Sequence, residues 1–104
     1  MSEKQLIVAL TDVCEWAKHE IAGFSWLTHV GHWRNPAITV VFDTEKNKND
    51  ALIQGHDNEL EAQIQFAGAC VKAKIKQVRF ESEEACKRRC DGDWERFLAM
   101  QNKH

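Results

Sequence analysis

The sequence predicts an α+β fold with elements in the order α-β-β-α-β-α, built on a three-stranded, mainly antiparallel sheet with its helices packed on one face. Three observations predict it. Lys4 to about Glu20 carries Leu6, Leu10, Val13 and Ala17 at spacings of three and four, the period of an amphipathic helix. Phe24 to Asp43 is the densest apolar and aromatic stretch of the chain, broken by Asn35-Pro36, as in two strands joined by a turn. Helical spacing then returns at Leu60, Ile64, Ala67 and Val71, ahead of a third extended stretch.

Each element has a local reason. Ser2 is placed to cap the first helix, with Gln5 three residues on, and Ala22-Gly23 ends it, the glycine serving as C′. The first strand is expected over Phe24–Arg34, with Phe24, Trp26, Thr28 and Val30 on one face and Ser25, Leu27, His29 and Gly31 on the other. Pro36 cannot donate to a ladder, so it precedes or opens the second strand. Ala37–Asp43 is that strand, with Ile38, Val40 and Phe42 on one face and Val41 on the other. Thr44 to Asn49 reads as a polar loop. Asn49 or Asp50 caps a short helical start, Gly55 interrupts it, and Asp57 caps the main second helix from Glu59 to about Ala69. One kinked helix and two separate ones both fit.

The third strand is placed at about Ile75–Phe80. Ala73 and Ile75 share one parity while Val78 and Phe80 share the other, so a bulge or a late helix end is expected between them. Ser82 caps a helix from Glu83 to about Arg89, whose early acids suit the helix dipole. Asp91-Gly92-Asp93 breaks it, and Trp94 to about Met100 adds a last turn or two with Trp94, Phe97 and Leu98 available to dock. Gln101–His104 should fray.

With 104 residues, 43% of them hydrophobic, the chain is expected to form a single domain, residues 1–104, with a modest core. The net charge of −2 hides an asymmetry: residues 1–71 hold 5 Lys/Arg against 10 Asp/Glu, and residues 72–104 hold 9 against 6. Such a split marks a binding face or two surfaces that pair. The N-terminus lacks a signal-peptide pattern and no run reaches a membrane span. A cytoplasmic protein with reduced thiols is expected.

Three sets of residues are candidates. The basic set is Lys72, Lys74, Lys76, Arg79, Lys87, Arg88, Arg89 and Arg96, which would follow a phosphate backbone, with Trp33 or Trp94 adding stacking. Lysines guarding a strand edge and ordinary helix pairs such as Glu84–Arg88 explain the same residues. The second set, Leu27, His29, Trp33 and Val41, would form an apolar interface on the second sheet face, for a second copy or a protein partner. The third is Cys86 and Cys90, which share a helix face and are weak metal candidates with His29 and His32. C-x3-C lacks the usual zinc-knuckle spacing, and the two histidines, three apart on a strand, point to opposite faces. Cys90, behind Lys87-Arg88-Arg89, is the thiol most open to activation. Cys14 and Cys70 read as small core hydrophobes. Asp57, Glu59 and Glu61 read as a solvated helix face. The chain has no Gly-rich phosphate loop, G-x-S-x-G, H-E-x-x-H or C-x-x-C, which leans against catalysis, and no cofactor is expected.

The opening KQLIVALTDVCEWAKHEIAGFSWLTHV and the ending FESEEACKRRCDGDW resemble a group of small gammaproteobacterial proteins, some labelled "Fis family transcriptional regulator". The resemblance runs from Gln5 to about Leu98 and implies a bacterial, transcription-related protein. A Fis-type protein ends in a helix-turn-helix, whereas this chain has Asp91-Gly92-Asp93-Trp94, so DNA binding does not carry over with the label. The order of hairpin, kinked helix and third strand is also similar to KH-type ribosome-associated domains, with Ala67-Gly68-Ala69 before Lys72 at the kink. That likeness implies RNA binding, although the KH glycine loop is not present. The overall expectation is a small intracellular binding or interaction module, regulatory and non-catalytic, with RNA or DNA binding and a thiol or zinc site as alternatives.

Overall fold

In the computed structural model, which describes residues 2–101, the order is α1 (Glu3–Glu20), β1 (Phe24–Val30), β2 (Ala37–Phe42), α2 (Glu45–Ile53), α3 (His56–Cys70), β3 (Gln77–Ser82), α4 (Glu83–Cys90) and α5 (Trp94–Gln101). This is an α+β fold on a three-stranded sheet, with two of the expected helical regions each resolved into a pair. Beyond Gln101 the expected fraying lies outside the described residues.

The caps explain the boundaries. Ser2 Oγ accepts from the Gln5 amide at 3.4 Å and starts α1. Ser82 Oγ accepts from Ala85 at 3.0 Å and starts α4. Thr44 Oγ1 accepts from Asn47 at 3.1 Å, so the polar stretch TEKNKN is the first part of a helix and not a loop. It has no apolar period to betray it. Charge pairs hold it instead, Lys48–Glu45 at 2.8 Å and Lys46–Asp50 at 2.9 Å. Neither Asn49, Asp50 nor Asp57 caps a helix. Gly55, at φ +84°, separates α2 from α3 and occupies the cap position of α3. Asp93 Oδ1 accepts from the Arg96 amide at 3.1 Å ahead of α5.

The sheet order is β1-β2-β3. β1 and β2 pair antiparallel, and β2 and β3 pair parallel. The sheet is therefore mixed, because α2 and α3 form a crossover that returns the chain to the starting edge of β2. β1 ends at Val30, earlier than expected, since Gly31 at φ +92° turns the chain out of the ladder.

A register irregularity between Phe24 and Trp26 rearranges the faces of β1. Phe24 packs edge-on against Phe42 at 6.3 Å and belongs to the main core. Trp26 is then opposite Val41, and Leu27 opposite Val40. Leu27 and His29 thus share a face with Ile38, Val40 and Phe42, whereas Trp26 and Thr28 are on the other. The simple alternation from Phe24 to Val30 fails because one extra residue sits at Ser25.

The main core joins the first face to α1 and α3 through Leu6, Leu10, Val13, Ile38, Leu60 and Ile64, with Ala73 and Ile75 closing one end. The expected parity change before β3 occurs at Lys76-Gln77. Both are exposed, and Val78 and Phe80 then turn back onto the core. A second cluster of Ala85, Cys86, Cys90 and Phe97, with Trp94 against it, joins α4 to α5. No described helix is long and apolar enough to cross a membrane.

Candidate functional site

The second sheet face has two unlike ends. At one end the bulge lets Ser25 and Trp26 reach α4 together. Ser25 Oγ and Trp26 Nε1 both donate to Glu83 Oε1 at 2.9 Å. Trp94 of α5 meets the Trp26 ring edge-on at 4.8 Å and Phe97 at 5.3 Å. Val41, opposite Trp26, is 0% exposed. The chain's own C-terminal helices therefore close this end.

This corrects the apolar-interface expectation. Val41 is buried and has no surface to offer. Leu27 and His29 lie on the opposite, α1-covered face, where Leu27 packs against the core and His29 Nε2 lies 3.3 Å from Glu3 Oε2. Trp33, in the β1–β2 turn, also packs against the core. The four residues form no common face.

The other end of the second face is open. A cleft of about 550 Å³ lies between the β1–β2 turn and the start of β3, lined by Val30, His32, Asn35, Lys76, Gln77 and Arg79 among others. Two backbone bonds fix its walls. The Lys74 amide donates to the Arg34 carbonyl at 2.7 Å, and the Lys76 amide to the Pro36 carbonyl at 2.8 Å. They hold the lysine segment beside the turn although both lie outside the strand ladder. Pro36, which has no amide proton, contributes here through its carbonyl.

This arrangement brings Lys74 beside Arg34, a cation outside the expected basic set, and puts Lys76 and Arg79 on the cleft wall, with Lys72 two residues before Lys74 in the same segment. Lys72 takes φ +58° at the end of α3, and Lys72, Lys74 and Lys76 are exposed. Neither Ile21–Phe42 nor Ala62–Phe80 contains an acidic residue. None of the five cations is in a carboxylate ion pair among the described residues. The Gln77 side-chain oxygen, turned toward Arg79, accepts from its Nη2 at 3.1 Å and from Nε. At the rim, the exposed His32 ring stacks on Trp33 with centroids 6.0 Å apart, and the Arg34 guanidinium lies 5.3 Å from the Trp33 centroid.

The remaining basic candidates are elsewhere. Lys87, Arg88 and Arg89 lie on α4 and Arg96 on α5, beyond the far end of β3, roughly 20 Å along the strand by its rise per residue. They are mixed with Glu83, Glu84, Asp91, Asp93 and Glu95, and Arg88 pairs with Glu84 at 3.8 Å. The eight basic residues thus divide into a concentrated group and a balanced one. Trp94 is occupied by Trp26 and Phe97, which leaves His32 and Trp33 as the aromatics beside the concentrated group.

The thiol candidates are placed against reactivity. Cys86 is 0% and Cys90 4% exposed, and burial pushes the Cys86 thiol above its ordinary range. No group of three or more His, Cys, Asp or Glu able to hold a metal occurs among the described residues. Cys70, expected in the core, is exposed at the end of α3, and Cys14 is intermediate. Asp57, Glu59 and Glu61 lie at the start of α3, where His56 Nδ1 and Glu59 Oε1 are 2.8 Å apart. No protein family, curated protein or solved structure matches this chain.

Proposed function

We propose that the protein is a non-catalytic module that binds single-stranded nucleic acid in the cleft at the open end of its sheet. The observation that carries this reading is a cleft of about 550 Å³ lined by Lys76 and Arg79, with Lys74 bonded through its backbone to Arg34 nearby, in two stretches, 21–42 and 62–80, that contain no acidic residue. Cations outside carboxylate ion pairs favour a polyanion, and their entropic gain on binding comes from counterion release. His32 over Trp33 offers a ring face to an unstacked base. A cleft between a turn and a strand suits one flexible strand, whose bases are splayed out. The KH-type likeness adds no support, because the kink it places at Ala67-Gly68-Ala69 falls inside the unbroken helix α3.

Fluorescence anisotropy with labelled oligouridine and oligothymidine tests the reading, with a duplex as control. If all five cations meet phosphates, the salt slope is about −3.5, so affinity falls ~100-fold between about 50 and 200 mM salt. Lys74→Ala with Lys76→Ala should reduce that slope by about 1.4, and Arg88→Ala with Arg89→Ala should leave it in place. No binding at the lower salt, or equal losses from both pairs, would overturn the proposal.

A further inference from the structure

The outer surface of α1 and α3, away from the sheet, carries two unusually exposed apolar side chains. Phe66 is 69% and Val8 58% exposed. A shallow groove of about 430 Å³ lies beside them, lined by Val8, Ala9, Cys70 and Val71 with Lys4 and Asp12 among its polar residues. A second, of about 260 Å³, lies against Phe66, Val13, Ala67 and Cys70. The shared linings place Lys4 near Val71 and Val13 near Gln63, so the two helices run antiparallel.

We infer that a second copy of this chain occupies this surface, as a two-fold dimer whose axis crosses the helices near Val8. Knob and groove lie on one face at different heights, the arrangement an isologous interface requires. With the axis at Val8, α1 lies antiparallel over its counterpart, and each Phe66 passes over the other copy's Cys70–Val71 end. Lys4 and Asp12 are eight residues apart, about 12 Å along the helix. They are equidistant from the axis, so each Lys4 meets the other copy's Asp12. The same face is thus complementary to itself in shape and in charge. Both Cys70 residues come close to the axis.

The patch is small. Two helices over about three turns cover on the order of 500 Å² per copy, at the low end for specific interfaces. A concentration-dependent dimer is therefore expected, with a dissociation constant in the range of about 10–100 μM. The proposed nucleic-acid cleft lies on a different surface, and the two proposals stand or fall separately.

Sedimentation velocity from about 5 to 500 μM tests the inference. The native chain should move from monomer to dimer. Phe66→Asp, whose site is exposed enough to leave folding intact by circular dichroism, should weaken the dimer at least ~10-fold. Lys4→Asp should weaken it, and adding Asp12→Lys should restore it. Mild oxidation of the native dimer should yield a cross-linked species that Cys70→Ser removes without changing sedimentation under reducing conditions. A monomer throughout the range, or a dimer indifferent to Phe66→Asp, would overturn the inference.

Discussion

Replacing Trp94 with alanine should destabilise the protein and uncover the second sheet face. Trp94 is half-buried and meets Trp26 at 4.8 Å and Phe97 at 5.3 Å, both edge-on. A fully buried Trp→Ala change costs about 3–5 kcal/mol. Half-burial reduces the transfer part to about 2 kcal/mol, and the loss of two aromatic contacts adds about 0.5 kcal/mol or more. The expected total is about 2–3 kcal/mol, or ~10–20 °C in Tm for a chain of this size. Urea unfolding followed by circular dichroism measures it. A double-mutant cycle with Trp26→Ala should give a coupling of about 1 kcal/mol, because each side chain loses its partner only once. The Trp94 variant should also bind more of a hydrophobic dye than the native chain does, since Trp26 and Val41 would face water. A cost below about 0.5 kcal/mol, or additivity in the cycle, would refute the claim that α5 closes this face.

Other outcomes follow from the geometry. Gly23 and Gly55 share φ +84°, but an added Cβ meets Asn47 Cβ at 2.5 Å at Gly23 and open space at Gly55. In urea unfolding, Gly55→Ala should cost about 1–2 kcal/mol from the backbone alone, and Gly23→Ala about 1–3 kcal/mol more; equal costs would remove the contact argument. Burial raises the Glu81 carboxyl above its ordinary 4.5. The folded state then holds its proton more tightly, so this group's contribution to stability falls as pH rises from about 4.5 through the raised value. Glu81→Gln should flatten that fall in pH-dependent unfolding. Glu45 has the opposite sign, because its bond to Lys48 lowers its pKa, and its contribution is lost as pH falls through the lowered value. In the native protein a thiol reagent should modify Cys70 rapidly and reach Cys86 and Cys90 only on unfolding, as mass spectrometry of modified peptides would show.

The parts of the fold readable in advance had strong local signals. α1 has a clean period and a Ser2 cap, and Ser82 with Glu83 and Glu84 marks α4. Only the end of α2 was legible, at Asp50-Ala51-Leu52-Ile53, because its first part, Glu45 to Asn49, is polar throughout. Its stability rests on side-chain pairs and on Glu84, whose Oε1 accepts the Glu45 amide at 2.9 Å, a contact 39 residues distant in sequence. The bulge at Ser25 carries no glycine or proline, and the bonds from Ser25 and Trp26 to Glu83 that accompany it span 58 and 57 residues of sequence. The parallel pairing of β3 did leave a signal, since a crossover containing helices favours parallel return. The lysine run was visible as composition. Its partner Arg34 was not, because only the backbone bonds at Arg34 and Pro36 bring the two segments together. The same folding separates Lys87, Arg88, Arg89 and Arg96 from them, a division that sequence adjacency concealed.

The parallel pairing of β2 with β3 also sets an order of events during synthesis. Phe42, the last residue of β2, pairs with Ser82, so the central strand waits for 40 more residues before its second edge is covered. At about 5–20 residues per second, that is on the order of 2–8 s on the ribosome. Throughout this interval Ile38-Thr39-Val40-Val41-Phe42 presents an apolar, β-branched edge with no chain beside it. The nascent hairpin is then the most aggregation-exposed species this chain forms. Its protection passes first to α1, already made and able to cover one face, and only at the end to β3 and the Trp94 helix.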